Sequence, residues 1–190
     1  MSEMYDRYVA EIASRFSLLP PDAGTAVMLA ACERMFFVLS RPEVRQACDR
    51  SWLRRALDAM WIASAYEGGP MSVPDEFEIE SLSDELVLMA TDAILMMREA
   101  LAERAVLDGR ILLIAVELAN AVDAAQDPEG ATDRGSLDAF LVDAGSCASI
   151  EVSRQLQDLD FMTAAEARSH RCTILRTRSA LQDITCGLPL

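Results

Sequence analysis

The stretch Val27-Met28-Leu29-Ala30-Ala31-Cys32-Glu33-Arg34-Met35-Phe36-Phe37-Val38-Leu39 decides the fold. On a helix, which turns by about 100° per residue, its apolar side chains cover nearly the whole circumference. A helix apolar all round is buried, so this one is expected at the centre of the molecule. Pro20-Pro21 followed by Asp22 opens it, because proline costs nothing in a first turn whose N–H groups lack partners anyway. It is expected to run to about Ser40. Glu33 and Arg34 are the only charges inside the stretch. If both are buried, each needs an opposite charge.

Outward from this helix, glycine and proline are few and clustered, and no β-branched alternating run of strand length occurs. The fold class expected is all-α, a compact single-domain bundle of about seven to eight helices over residues 1–190. One helix precedes the central one, from about Ser2 to Phe16. A short helix from Pro42 leads to another from about Asp49 to Ala65, stopped by Gly68-Gly69-Pro70. After an acidic connector at 71–81 a long helix runs from about Leu82 to Val106, and Asp108-Gly109 separates it from one at about Arg110 to Ala125. A second acidic loop at 127–135 and a short helix near Ser136 to Ala144 lead to two final helices, about Ser149 to Asp160 and Thr163 to Asp183. Thr163 and Glu166 have capping-box spacing.

On the helix at 49–65, Trp52, Leu53, Ala56, Leu57, Met60 and Trp61 share one half, while Arg54 and Asp58 stand at i and i+4 on the other. Arg54, Arg55 and Asp58 are the nearest residues in sequence that could neutralise Glu33 and Arg34. These five form the expected structural charge network, read as an ion-pair system that fixes helix register rather than as catalytic groups.

Charge is distributed unevenly. Segments 1–74, 75–143 and 144–190 hold 9, 17 and 5 acids against 8, 4 and 5 arginines, so the middle carries −13 of the total −14. One strongly negative segment between two balanced ones suggests a face kept for a positively charged partner. Every basic residue is Arg, which carries no functional weight. Five cysteines without C-x-x-C spacing read as reduced core residues rather than a disulfide frame or zinc site. Met1 to Phe16 lacks a signal-peptide apolar core and no uncharged run approaches the roughly 20 residues that span a bilayer. A cytoplasmic location and no membrane partner are expected.

Cys32-Glu33-Arg34-Met35, followed by Arg54-Arg55-x-Leu57-Asp58-x-x-Trp61, with Asp92-Ala93 further on, resembles the bacterial domain-of-unknown-function family typified by the YjaG protein. The resemblance covers about residues 25–105, with a looser likeness in the arginine-bearing last helix. It implies a compact all-helical bacterial protein, and no catalytic role comes with it. The chain departs from the family pattern in its acidic region around 127–148 and in its C-terminal Cys186-Gly187-Leu188-Pro189-Leu190.

Motifs for chemistry are sparse. The one histidine, His170, has no nucleophile-elbow pattern beside it, and the glycines form neither a P-loop nor a G-x-G-x-x-G. No catalytic residue, metal ligand or cofactor is assigned. Nucleic acid is disfavoured as a partner because its phosphates require a basic surface. Carboxylates are the one abundant group. Glu85, Asp92 and Glu99 recur every seven residues with Glu103 beside them, bordered by Leu88, Met89, Leu95 and Met96. Together with Asp75, Glu76, Glu78 and Glu80 of the connector, they form the expected partner-binding set.

The leading expectation is a protein-binding inhibitor: a bacterial immunity protein whose acidic face neutralises a cognate toxin by occupying a basic surface. Two alternatives remain. One is a small-molecule or metal-dependent enzyme using Asp92, Glu117 and the internal charge network in a pocket. The other is a structural homodimer formed through the Met-rich helix at 82–106.

Overall fold

A computed structural model describes residues 3–40, 50–65, 84–103, 105, 108–126, 141–163 and 168–186. Among them are seven α-helices and no strand: α1 Glu3–Phe16, α2 Pro21–Met35, α3 Arg50–Ala65, α4 Glu85–Ala102, α5 Arg110–Gln126, α6 Cys147–Thr163 and α7 Arg168–Ser179, with a 3-10 turn at Val38–Ser40. The expected helix at 42, the acidic connector at 71–81, the acidic loop at 127–135 and most of the helix at 136–144 lie outside the described residues.

The organising fact is the position of α2. It touches α3, α4, α5, α6 and α7, and these five close a ring around it in chain order, each against the next, with α7 returning to α3. Every residue of α2 from Ala23 to Met35 is buried. Small residues make this enclosure possible. Ala23, Gly24, Ala26, Ala30, Ala31 and Cys32 keep the helix narrow on several sides, while Met28, Leu29 and Met35 fill the gaps between the walls. Trp61, Met35 and Phe36 are buried, as their spacing requires.

α1 packs outside the ring, on α6. Its last aromatic, Phe16, lies against two glycines. A Cβ on Gly24 would come within 2.7 Å of the ring, and one on Gly109 within 3.7 Å. Gly109 also has φ +79, a left-handed conformation that a side chain disfavours. It forms the corner between α4 and α5, where the Asp108 carboxylate accepts the Arg110 N–H at 3.0 Å.

Several boundaries differ from the sequence expectation, each for a local reason. α2 ends at Met35 instead of about Ser40: the Phe37 N–H turns to the Arg34 carbonyl at 3.3 Å and the Leu39 N–H to that of Phe36 at 3.1 Å. Apolar periodicity reported the burial of Phe36, Val38 and Leu39 correctly, but i→i+3 bonding replaces the α pattern. α4 starts at Glu85 because the Asp84 carboxylate accepts the N–H groups of Leu86 at 3.0 Å and Val87 at 3.2 Å. α6 starts two residues early, at Cys147, held by a cap from a distant residue: Asp123 accepts the N–H groups of Cys147 at 2.8 Å and Ala148 at 3.0 Å. Thr163 closes α6 rather than opening α7, its hydroxyl donating to the Asp160 carbonyl at 2.7 Å. Glu166, the other half of the expected capping box, lies outside the described residues.

Gly109→Ala is expected to lower stability by about 1–2 kcal/mol, the cost of forcing a side chain into left-handed backbone. Urea denaturation checks this, with an unchanged denaturant slope showing that the fold survives.

Candidate functional site

Glu33 and Arg34 are neighbours in sequence, so on α2 their side chains leave about 100° apart. Each enters a different network. Arg34 is 0% exposed. Its Nε and Nη2 donate to both Glu151 oxygens at 2.8–3.1 Å, and its Nη1 donates to Asp158 at 2.8 Å. Asp158 receives a second guanidinium, Arg178 of α7. Gln155, one turn beyond Glu151, donates to Glu151 at 2.9 Å and to the Leu112 carbonyl of α5 at 3.0 Å, and its oxygen accepts the Tyr8 hydroxyl of α1. This network therefore ties α2, α6, α7, α5 and α1 together. Its four ionised groups, Arg34, Arg178, Glu151 and Asp158, sum to zero.

The second network is also balanced. Glu33 accepts two bonds from Arg54 at 2.6 and 2.7 Å and one from the Trp61 indole at 2.9 Å. Arg54 bonds Asp58 at 2.7–3.0 Å, and Arg176 of α7 reaches Asp58 and lies 3.8 Å from Glu33. Phe36 lies under the Arg54 guanidinium, 5.0 Å from its ring centre, so the cation rests on an aromatic face as well as on carboxylates.

The charge states follow from these contacts. Burial opposes the Arg34 cation, but Glu151 and Asp158 outweigh it and hold the guanidinium protonated above its ordinary range. The same balance holds for Arg54 with Glu33 and Asp58. Burial, reinforced by the Glu151 charge, pushes the Tyr8 phenol up, so it remains a donor. At the surface, burial and then Glu117 push the Tyr5 phenol to about 12.

Glu33, Arg34, Arg54 and Asp58 thus all enter networks, with two corrections to the expected set. Arg55 takes no part: it is exposed, one residue and a quarter-turn away from Arg54. Arg34 is neutralised by Glu151 and Asp158, far along the chain, and not from α3. The one sequence signal for these partners was the polar line Glu151, Gln155, Asp158, spaced i, i+4, i+7 within an otherwise ordinary helix.

The carboxylate stripe on α4 is a surface feature. Glu85, Asp92, Glu99 and Glu103 are all exposed, and among the described residues none of them forms an ion pair. Leu88, Met89, Leu95 and Met96 flank them, half-buried. Asp75, Glu76, Glu78 and Glu80 lie outside the described residues. Glu117 is exposed on α5, accepts the Tyr5 hydroxyl at 3.1 Å and belongs to neither network.

Where the second network reaches the surface, a cleft of about 580 Å³ opens between α3 and α7, lined by Trp61, Ile62, Cys172, Thr173, Arg176, Thr177, Ala180 and Leu181. It is largely apolar with one guanidinium at its wall. Among the described residues no group of three His, Cys, Asp or Glu side chains is arranged to hold a metal ion, and no helix is long and apolar enough to cross a membrane. His170 is exposed on α7.

No family model, curated protein or solved structure matches this chain. Glu33, Arg54, Asp58 and Trp61 form one hydrogen-bonded group, whereas Asp92 stands apart on α4.

Removing Arg34 would strand Glu151, and would leave Asp158 with Arg178 alone. Arg34→Ala and Arg34→Met are both expected to cost about 3–5 kcal/mol at neutral pH, since the charge and not the side-chain volume is the dominant loss. Part of this should return at lower pH, because a stranded buried carboxylate costs more ionised than protonated. Urea titrations of both variants at neutral and mildly acidic pH check it. A Met variant as stable as the original protein would show that packing alone suffices at this position.

Proposed function

We propose that this is a binding protein of the immunity type, which neutralises a basic partner, such as a toxin domain, through the acidic face of α4. The observation that carries the reading is the contrast between two kinds of carboxylate. Among the described residues each buried one is matched: Glu33, Glu151 and Asp158 by arginines, and Asp123 by two backbone N–H groups. Glu85, Asp92, Glu99 and Glu103 instead stand in a row, exposed and unpaired among the described residues. Like charges aligned on one helix cost some stability. They are compensated when a cationic surface covers them, and the flanking Leu and Met side chains supply apolar contact to that same surface.

Affinity purification from the native host identifies the partner, and the purified pair is then compared across variants. Glu85→Arg, Glu99→Arg and Glu103→Arg together should slow association by about ten- to a hundredfold and leave thermal stability nearly unchanged, because exposed charges steer encounter more than they stabilise. Association by the original protein should slow as salt rises, since screening limits the reach of charges to about 8 Å at physiological ionic strength. Glu3→Arg with Asp6→Arg on α1 is the control. Equal association by both sets would reduce the α4 face to a solubilising surface.

The cleft between α3 and α7 supports a second reading, a small-molecule site. An apolar anion seated there would contact Arg176 and change Trp61 fluorescence, and Leu181→Glu would weaken that response while the α4 variants leave it intact.

A further inference from the structure

Arg54 already serves both carboxylates of the second network. It gives Glu33 two hydrogen bonds at 2.6 and 2.7 Å and Asp58 two more at 2.7–3.0 Å, and the Trp61 indole adds a third to Glu33 at 2.9 Å. Arg176 of α7 is the additional cation. It hydrogen-bonds to Asp58, while its Nε lies 3.8 Å from Glu33, beyond hydrogen-bond range. The two carboxylates depend on it to different degrees. The Glu33 side chain is 2% exposed and cannot exchange a protein partner for water, whereas that of Asp58 is 40% exposed and can. The Arg176 side chain is itself 37% exposed, and a pair so open to solvent contributes little net stability. Arg176 can therefore turn away from its carboxylate without stranding a buried charge.

The same guanidinium forms part of the wall of the cleft between α3 and α7. Among the described residues it is the only charge in that lining, which holds no carboxylate. The Trp61 N–H is taken up by Glu33, so its ring offers the cleft apolar surface, and the Thr177 hydroxyl donates to the Thr173 carbonyl at 2.9 Å. Ile62 and Leu181 add exposed apolar surface. A volume of about 580 Å³ is ordinary for a small-molecule site. With the cleft read as such a site, on which this rests, we infer that its ligand is an apolar monocarboxylate and that Arg176 passes from Asp58 to the ligand's carboxylate as it enters. Asp58 keeps Arg54 as its partner. The planar carboxylate matches the parallel N–H groups of the guanidinium fork. One negative charge suits the lining, because a single cation faces the cleft and a chain of net charge −14 repels a dianion more strongly than a monoanion. Ligand and Asp58 thus compete for one guanidinium, and removing the competitor tightens binding.

Calorimetric titration of the full chain at neutral pH with a matched pair of probes, naphthylacetate and its uncharged amide naphthylacetamide, tests this. The original protein is expected to bind the carboxylate about tenfold more tightly than the amide, because charge-assisted hydrogen bonds are the stronger kind. Arg176→Met, which keeps an apolar stem, should remove that preference and leave the amide affinity unchanged. Asp58→Asn should strengthen carboxylate binding by about three- to tenfold and leave the amide where it was. A purely structural Asp58–Arg176 pair predicts the opposite for Asp58→Asn, weaker binding of both probes. Equal binding of the two probes by the original protein would keep the cleft as a small-molecule site and overturn the carboxylate assignment, whereas binding of neither would overturn both. The assignment also fails if Arg176→Met still prefers the carboxylate, or if Asp58→Asn binds it no better than the original protein does.

Discussion

A guanidinium with no access to water sits in the wall-to-wall contact between α2 and α6, and the rest of the architecture is arranged around satisfying it. An arginine cannot shed its proton to escape burial, as a lysine or a carboxylic acid can. Arg34 therefore requires anions at fixed positions, and Glu151 and Asp158 supply them from two turns apart on one helix face. Asp158 in turn needs more than half of Arg34, which brings in Arg178 and sets α7 against α6. Compared with a well-packed apolar interior, such a cluster contributes little net stability. Its effect is on choice: any slip of α6 or α7 by one residue would move the charges out of reach and leave a bare ion in the core.

The same logic explains why two adjacent residues of α2 serve opposite sides of the molecule. Glu33 points towards α3 and Arg34 towards α6, and α7 contributes an arginine to each cluster, Arg176 to one and Arg178 to the other. Two arginines two positions apart on α7 thus brace the central helix on both flanks. The caps extend the scheme to the helix ends. Asp123, near the end of α5, replaces the missing hydrogen-bond partners at the head of α6, so the α6 start is positioned by its neighbour and not by its own sequence.

How much of this was legible follows from where each determinant lies along the chain. The all-helical class and the burial of α2 are local properties, written in the circumference of Val27 to Leu39. The Arg54–Asp58 pair is also local, one helical turn apart, and its service to Glu33 could be read from nearby residues. Arg34 was different. Its partners lie on α6, and nothing in a seven-residue spacing of two acids distinguishes an ion-pair acceptor from a solvated face until the third dimension places it. Arg55 was misassigned for a related reason: adjacency in sequence does not mean adjacency on a helix. The α4 stripe is legible as one face because its heptad spacing alone defines it, whereas the capping of Cys147 and Ala148 by Asp123 depends on how α5 and α6 are packed.

The enclosure of α2 has a consequence for synthesis. A ribosome delivers the central helix early and its last wall, α7, much later, at about 5–20 residues per second. During those seconds the helix that ends up fully enclosed has no complete shelter, and Arg34 has been made while Glu151, Asp158 and Arg178 have not. A nascent chain in this condition exposes apolar surface of the kind that chaperones bind. Mistranslation or premature release before α7 would leave Glu33, Asp58 and Asp158 without the arginines that α7 contributes. The ring around α2 therefore closes only once α7 has been made, and the central helix leaves the surface at that one step.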